Sequence, residues 1–410
     1  MPISRRGFLS HGAAGVTFVS LGGSMPGLFA RAAEASKAAD ANDHVLVVVE
    51  LAGGNDGLNT VVPFEDALYY KNRRRLGLPR KDILKLSDLV GLHPRMGPMA
   101  ELFKQGELAI VQGVGYPKPD RSHFRSMEIW HTASVEAVPP TAGWLGRCLD
   151  ATEPEGLDNP PRGLSLAGSL PQAFQAEKVV VPVVDQLDAF NQKSDDDPIG
   201  AKLRRRLSTG PEAPGALGFL RRQSSVVYRT ADRLKQATEK YKSEVEYPGG
   251  ELGQQLKRAA QIIAGRMGVR VLFASQDGYD THADQLEAHG TLLGELAESL
   301  AAFGKDLAGQ GLAEKVVVMV FSEFGRRVDE NASGGTDHGA ASNLFLVGSR
   351  VKGGLSGRYP SLAELGEGDL VYNTDFRSVY ATLLDRWLGC PAEKALGQGF
   401  PTLDLIRAGT

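Results

Sequence analysis

The sequence predicts an α/β fold, a three-layer sandwich in which helices cover both faces of a mostly parallel central sheet. Strand patterns and helix patterns alternate along the chain, as they do in parallel sheets built from strand–helix–strand units. Several strand patterns are almost continuously apolar, which is typical of strands that are covered on both faces. A third observation is that motifs rich in carboxylates and imidazoles lie next to these strands, where open α/β sheets build their sites.

The elements follow one another in a regular order. Continuous apolar or β-branched runs predict strands at 44–51, 108–114, 178–184, 269–275, 315–321 and 344–347. Helical patterns lie between them at 95–105, 124–133 and 253–267, and between 286 and 307 leucine and phenylalanine recur every three, four or seven residues. This last spacing places the apolar side chains on one buried stripe of a long helix.

One segment departs from this alternation. Residues 186–250 contain an acidic run at 195–197, a basic run at 204–206 and long polar helical stretches. We interpret the segment as an inserted helical subdomain or lid, and the alternative is a solvated surface excursion without a role. The rest of the chain is then a single domain over residues 36–410.

The N-terminus has the pattern of an export signal. Arg5 and Arg6 precede an apolar, glycine-rich stretch, and small residues follow around Ala32. This pattern predicts a twin-arginine signal peptide over residues 1–35 and export to the periplasm or beyond it, with the twin-arginine translocase as a transient partner. An uncleaved membrane anchor is the alternative, although the stretch is short and glycine-rich for a membrane span.

Composition narrows the classes of function. The chain has 410 residues and a formal net charge of -3, which does not indicate a nucleic acid or a membrane surface as a partner. Its two cysteines, Cys148 and Cys390, are too few for a disulfide scaffold. They could pair in an oxidising compartment or remain free thiols.

Two motifs in the first third of the chain carry candidate site residues. GGNDG at 53–57 places Asp56 just after the first strand, either as a site residue or as the aspartate of a turn. Arg121, Ser122 and His123 open the helix after the second strand. Ser122 is either an activated nucleophile at a helix N-terminus or a helix cap, and His123 is a candidate metal ligand or a group behind one.

Three later motifs add carboxylates and imidazoles. GYDTH contains Asp280 and His282, FSEFG contains Glu323, and GGTDHG contains Asp337 and His338. These ligand types suit zinc, manganese or iron. The alternatives are a helix cap at Asp280, a surface glutamate at Glu323 and a solvated turn around Asp337. The motifs alone do not decide between metal binding and these alternatives.

The order of these motifs resembles the alkaline-phosphatase-like superfamily, which includes sulfatases, nucleotide pyrophosphatases and cofactor-independent phosphoglycerate mutases. The mature chain is more closely similar to a twin-arginine-exported bacterial family of that superfamily, a domain of unknown function. The runs that carry this closer resemblance are GGNDGLNTVVP, RSHF, DTHADQ, FSEFGRR, GGTDHG and VKGG. The resemblance implies an alkaline-phosphatase-like fold for the predicted α/β domain.

The resemblance also implies roles for single residues. Asp56 matches the superfamily's aspartate after the first strand, and Ser122 matches its nucleophile. Asp280 and His282 match an aspartate–histidine pair of metal ligands. By position, His338 matches the last histidine of the superfamily pattern.

One departure from the superfamily pattern affects the number of metal ions. Glu323 replaces an aspartate, and Phe324 replaces a metal-binding histidine. One implied site, of Asp280, His282 and His338, keeps its ligand types. The other, of Asp56, Ser122 and Glu323, lacks an imidazole. Either Asp337 or His123 completes it, or the chain holds one divalent ion instead of two. Zinc fits best, with manganese, iron, magnesium or calcium as alternatives.

Three functions remain open from the sequence. The first is a periplasmic hydrolase of small phosphate or sulfate esters, in which Ser122 attacks and Arg121 or Arg326 holds the anion. The second is a metal-binding protein without turnover that acts with another exported protein. The third is a scaffold of the same fold that binds no metal.

Overall fold

The computed structural model describes residues 43–152, 161–184 and 236–408, together with residues 218, 230, 233 and 234. The predicted signal peptide lies outside the described residues, as does most of the predicted insertion at 186–250. Of that insertion, residues 236–240 are helical. None of the described helices has the length and apolar character needed to cross a lipid bilayer.

Eight of the described strands form one central sheet. In chain order the strands are β1 (Val45–Leu51), β2 (Val61–Val62), β3 (Leu84–Lys85), β4 (Gly91–Leu92), β5 (Leu108–Gly115), β6 (Gly163–Ser165), β7 (Val271–Gln276), β8 (Val316–Phe321), β9 (Ser342–Val347), β10 (Gly354–Ser356), β11 (Leu365–Gly366), β12 (Asp369–Leu370) and β13 (Thr374–Asp375). The central sheet has the order β10-β5-β9-β8-β1-β7-β6, and β13 pairs with β5. The remaining strands form a three-stranded and a two-stranded sheet.

The central sheet is mostly parallel. Strand β1 runs parallel to β7 and β8, and β7 runs parallel to β6. Strand β9 is antiparallel to both of its neighbours, β5 and β8. The predicted fold class is therefore confirmed, with one antiparallel strand inside the sheet.

One predicted strand is wrong. Residues 178–184 contribute only an isolated bridge from Val183 to Ser165, and the position beside β7 belongs to β6. The carboxylate of Asp150 accepts hydrogen bonds from the backbone N–H groups of residues 177–179. These donors are therefore not available to a neighbouring strand.

Helices cover both faces of the sheet. They are α1 (Gly57–Thr60), α2 (Ala67–Asn72), α3 (Gly97–Lys104), α4 (His123–Thr132), α5 (Trp144–Thr152), α6 (Glu251–Ala264), α7 (Gln285–Gly309), α8 (Phe376–Leu383) and α9 (Ala392–Leu396). Short 3-10 helices lie at Gln172–Phe174 and Ala313–Lys315, and a π-helical turn lies at Leu384–Leu388.

Strand β1 shows how the three layers are held together, because successive side chains of a strand point to opposite faces. Val47 and Val49 belong to the hydrophobic core that also contains apolar residues of α3, α6 and α7. Leu46 and Val48 belong to the opposite core, with residues of α4, α5, α8 and α9. The predicted stripe of α7 is buried from Leu293 onward.

The topology places the motif loops at one edge of the sheet. The loops after β1, β7 and β8 leave the same edge because these strands are parallel neighbours. The GGTDHG loop comes before β9, and it reaches that edge because β9 runs in the opposite direction. Cys148 and Cys390 belong to the core that also contains Leu46 and Val48. Both are buried, free thiols.

Candidate functional site

Three histidines and one aspartate meet at this edge of the sheet, and we call His123, Asp280, His282 and His338 the histidine cluster. The Nε2 atoms of His282 and His338 are 2.9 Å apart, and each is 3.1 Å from Asp280 Oδ1. The Nε2 atom of His123 lies 3.5 Å from Asp280 Oδ2. Ligand atoms from three separate parts of the chain therefore face a common centre.

Each histidine of the cluster uses its other ring nitrogen to contact a protein oxygen. The contacts join His123 Nδ1 to Glu323 Oε1 at 2.9 Å, His282 Nδ1 to Asp337 Oδ1 at 3.3 Å, and His338 Nδ1 to the carbonyl oxygen of Arg121 at 2.8 Å. Carbonyl and ionised carboxylate oxygens only accept, so Nδ1 donates in each case. When such a ring carries its proton on Nδ1 alone, its Nε2 lone pair points to the centre, as in many zinc sites.

This donor set fits a bound metal ion. The three imidazole nitrogens and the Asp280 carboxylate carry lone pairs that repel one another. A cation bound between them would remove this repulsion. A tetrahedral zinc ion with bonds of about 2.0–2.1 Å would place its ligand atoms roughly 3.4 Å apart. The atoms of His123, Asp280 and His338 all lie within 4.8 Å of one another, so small shifts would bring the cluster onto one ion.

The electrostatics of the cluster favour an ionised aspartate. Partial burial raises the pKa of Asp280, but the hydrogen bond from Arg326 and the contact with His338 outweigh it and lower the pKa to about 2. The hydrogen bond to Glu323 is the main cause of a raised pKa at His123. The Asp280 carboxylate is therefore ionised at neutral pH, which is the form that binds a cation.

Backbone packing brings the GGNDG loop close to this centre. Gly53 has a φ of +118°, and a side chain on it would collide with the backbone of Tyr279 and Asp280. Its N–H donates to Glu323 Oε1 at 2.9 Å. A glycine at this position is therefore required by both the backbone conformation and the close approach of the β7 loop.

Glu323 lies behind His123 and not among the atoms that face Asp280. Its Oε1 accepts hydrogen bonds from His123 Nδ1 and from the backbone N–H of Gly53. Its Oε2 accepts from the hydroxyl of Ser322 at 3.0 Å. The side chain is 1% exposed. The structure thus places the predicted ligand Glu323 as the carboxylate that orients a ligand, and it places Asp337 in the same relation to His282.

Asp56 also lies outside the histidine cluster, although the sequence predicts it as a ligand. It caps α1, and its carboxylate forms a fully buried ion pair with Arg73 at 2.5 Å. The side-chain amide of Gln285 donates to the same oxygen, Oδ2. Burial opposes the charge, yet Arg73 lowers the pKa of Asp56 below its ordinary value. All of its hydrogen-bonding capacity is engaged within the protein.

Arg326 is a buried clamp and not an exposed anion-binding group. Its guanidinium donates to the carbonyl oxygens of Gly54 at 2.7 Å, Thr336 at 2.8 Å and Tyr279 at 3.0 Å, and to Asp280 Oδ1 at 2.6 Å. The side chain is 0% exposed. The geometry therefore contradicts the prediction that Arg326 holds a substrate anion. It instead ties three motif loops together and positions Asp280.

Arg121 is engaged as well, although it remains one-third exposed. Its guanidinium lies 2.6 Å from Asp369 and 3.5 Å from Glu367. Because two carboxylates already neutralise it, Arg121 is a weaker candidate for holding an anion than the sequence predicts. Its main contact with the cluster is the carbonyl group that orients His338.

Ser122 is exposed and precedes the cluster residue His123. It occupies the N-cap position of α4, but its hydroxyl makes no capping hydrogen bond. Its backbone N–H donates to Asp120 at 2.8 Å. The hydroxyl and the first N–H groups of α4 are therefore available to a ligand.

Sequence reasoning missed the buried partners Arg73, Gln285 and Ser322. Arg73 sits in a basic run with Arg74 and Arg75, and no local pattern distinguishes it from a solvated neighbour. Phe324, which stands in place of an expected histidine, packs with its ring centre 5.0 Å from that of His123 and 4.8 Å from that of His338.

Comparisons with known proteins give one family and several distant structural similarities. The chain resembles the PsFucS1 sulfatase from Pseudoalteromonas sp. with 11% identity over 90% of this chain and 72% of that chain, at a TM-score of 0.41. It resembles the zinc complex of the C-terminal periplasmic domain of EcEptC from Escherichia coli with 10% identity over 75% and 74%, at 0.35. It resembles alkaline phosphatase from the Antarctic bacterium TAB5 with 13% identity over 75% and 92%, at 0.31.

No curated protein matches the chain. The family model described as "Protein of unknown function (DUF1501)" matches residues 43–390. That range contains every residue of the histidine cluster and most of the chain. The protein therefore belongs to the family described as Protein of unknown function (DUF1501).

Proposed function

We propose that the protein is an exported, metal-dependent hydrolase of phosphate or sulfate esters with Ser122 as its nucleophile. The observation that carries the proposal is the convergence of three Nε2 atoms on the Asp280 carboxylate, with one of them from His123, the residue that follows the exposed Ser122 at a helix start. His123, Asp280, His282 and His338 would hold a divalent ion. When bound, such an ion supplies Lewis-acid chemistry that polarises an ester oxygen and lowers the pKa of a nearby hydroxyl.

The residues of α4 suit the attack on an anionic ester. Ser122 Oγ would form a bond to phosphorus or sulfur, while the ester bond breaks and its electron pair leaves on the alcohol oxygen, which takes up a proton. The uncapped N–H groups at the start of α4 would stabilise the negative oxygens of the transferred group. Water then cleaves the serine ester and releases the inorganic anion.

We propose one ion per chain, with zinc as the preferred metal. The imidazole-rich cluster suits zinc, and it also accepts manganese or iron. Magnesium and calcium prefer oxygen ligands and fit it less well. The resemblance assigns Asp56 and Glu323 to a second site, but Asp56 pairs with Arg73 and Glu323 contacts His123. Elemental analysis of the exported protein would test both the identity and the number of ions.

Replacing Ser122 with alanine tests the nucleophile. We expect Ser122→Ala to abolish turnover of phosphate and sulfate esters while leaving metal content and thermal stability unchanged, because the hydroxyl makes no capping hydrogen bond. The exposed Ser361, which caps backbone N–H groups elsewhere, gives a matched control as Ser361→Ala. Wild-type turnover in Ser122→Ala would remove this residue from the mechanism.

The alternative is a metal-binding protein without turnover that acts with another exported protein. The observation that favours it is the burial of Asp56 against Arg73, which seals a position that the resemblance assigns to a second ion. A protein that contains metal yet hydrolyses no member of a broad ester panel would support this alternative. A protein that contains no metal would support a scaffold function instead.

Export by the twin-arginine route is part of the proposal. The Arg5–Arg6 pair before an apolar stretch motivates it. We expect the double variant Arg5→Lys, Arg6→Lys to lose its periplasmic fraction, measured by cell fractionation and immunoblotting. Undiminished periplasmic protein in the double variant would contradict this route.

A further inference from the structure

A cavity of about 440 Å³ lies beside the histidine cluster. Arg121, Glu323 and Phe324 line it, and each of them also contacts a histidine of the cluster. The cavity and the cluster therefore share a wall. Its volume is within the range of cavities that bind small molecules.

Two other residues of the wall have buried polar atoms that lack a hydrogen-bond partner within the described part of the chain. Trp130 is 4% exposed, and its Nε1 donor has no partner. Asp369 is 2% exposed, and its Oδ1 acceptor receives no hydrogen bond from the described residues, since Arg327 Nε lies 3.9 Å away. Buried polar groups are usually paired, so one unpaired donor and one unpaired acceptor in the same cavity wall indicate a ligand that supplies both partners.

Neither side chain can turn to another partner. The Trp130 ring is stacked between Phe321 and Phe376, with ring centres 5.1 Å and 4.3 Å away. Asp369 is held through Oδ2 by Arg121 at 2.6 Å. The indole N–H and the carboxylate oxygen are thus fixed in place before a ligand arrives.

We propose that this cavity binds a neutral, hydroxyl-rich ligand, a sugar or polyol, through Trp130 Nε1 and Asp369 Oδ1. A hydroxyl group both accepts and donates, so the same kind of group satisfies the indole donor and the carboxylate acceptor. The charges of the wall argue against a strongly charged ligand, because the two cations Lys118 and Arg121 nearly balance three carboxylates, those of Glu323, Glu367 and Asp369.

The shared wall gives the ligand a place in the reaction. Resting on the proposed function, the cavity would hold the alcohol portion of the ester that Ser122 attacks. The aromatic ring of Phe324 would lie between this portion and the imidazoles of His123 and His338. Phe324 would then be a substrate-contacting group at the position where the resemblance expects a metal ligand.

Binding of defined probes to the metal-containing protein tests the proposal. We expect methyl glucoside or myo-inositol to bind in calorimetric titrations, whereas tetrahydropyran, a similar ring without hydroxyl groups, does not. Trp130→Phe keeps an aromatic ring and removes the N–H, so it should weaken binding about tenfold. It should not lower the thermal stability of the free protein, because the deleted donor has no partner there.

The control is Trp144→Phe, which removes a buried indole N–H outside the cavity and should leave probe binding unchanged. Equal binding of tetrahydropyran, unaltered affinity in Trp130→Phe, or no binding of either hydroxylated probe would overturn the proposal. Turnover of a simple aryl phosphate and an aryl sulfate is measured in parallel. Probe binding without any turnover would contradict the proposed hydrolase while leaving the polyol site intact.

Discussion

The variant Asp56→Ala is expected to destabilise the protein by about 3–5 kcal/mol, because it leaves the buried guanidinium of Arg73 without its counter-charge. Both side chains of this ion pair are 0% exposed, and the closest N–O distance is 2.5 Å. Chemical denaturation of the wild-type protein and the variant would measure the difference in the free energy of unfolding. Metal content should be retained in the folded variant, because the structure places Asp56 outside the histidine cluster.

Asp66 provides a matched control. It is also an aspartate at a helix N-cap, and it accepts from the backbone N–H of Leu68 at 2.8 Å, but it has no buried arginine partner. Asp66→Ala should therefore cost only about 1 kcal/mol, the usual loss of a cap. Similar losses for Asp56→Ala and Asp66→Ala would show that the ion pair with Arg73 contributes little. Loss of metal in folded Asp56→Ala would restore Asp56 as a ligand.

The same carboxylate makes stability depend on acid pH. Burial opposes the ionised form of Asp56, but Arg73 more than compensates, so its pKa in the folded state lies below the ordinary value of 3.8. A lowered pKa stabilises the fold above the unfolded value, and this contribution is lost as the pH falls through the folded value. Asp56→Asn should therefore flatten the acid side of the stability profile.

The variant His338→Ala is expected to lower the affinity for zinc by more than about 100-fold, beyond the loss usually caused by altering a group behind a ligand. It removes a nitrogen that lies 2.9 Å from His282 Nε2 and 3.1 Å from Asp280 Oδ1. Competition with a chelator would measure the affinity. The metal-containing protein should also lose thermal stability, since metal binding contributes to folding.

Two further variants show whether this loss is specific. Glu323→Gln alters the group that orients His123 and should weaken zinc binding only about 10–100-fold. His93→Ala removes a buried histidine outside the cluster and should leave zinc affinity unchanged. Equal zinc affinity in the wild-type protein and His338→Ala would exclude the histidine cluster as the metal site.

Local patterns were sufficient for the fold class and for the longer elements, which are the strands β1, β5, β7, β8 and β9 and the helices α3, α4, α6 and α7. Continuous apolar runs mark β1, β7 and β8 because both faces of these strands are covered. The strand predicted at 178–184 is lost at its start because the side chain of Asp150, 27 to 29 residues away, accepts from the backbone N–H groups of residues 177–179. No local pattern shows such a competition.

The candidate site, like the fold, was predicted only in part by the sequence. The sequence by itself determined which motifs carry imidazoles and carboxylates and that these motifs lie next to predicted strands. That their loops share one edge of the sheet follows from the observed strand order and from the antiparallel direction of β9. Only the tertiary structure decided that His123 joins Asp280, whereas Glu323 turns behind it and Asp56 pairs with Arg73. The physical reason is that an ionised carboxylate can be stabilised by a metal, a histidine or an arginine. Which of them it meets depends on residues 17 to 270 positions away in the chain.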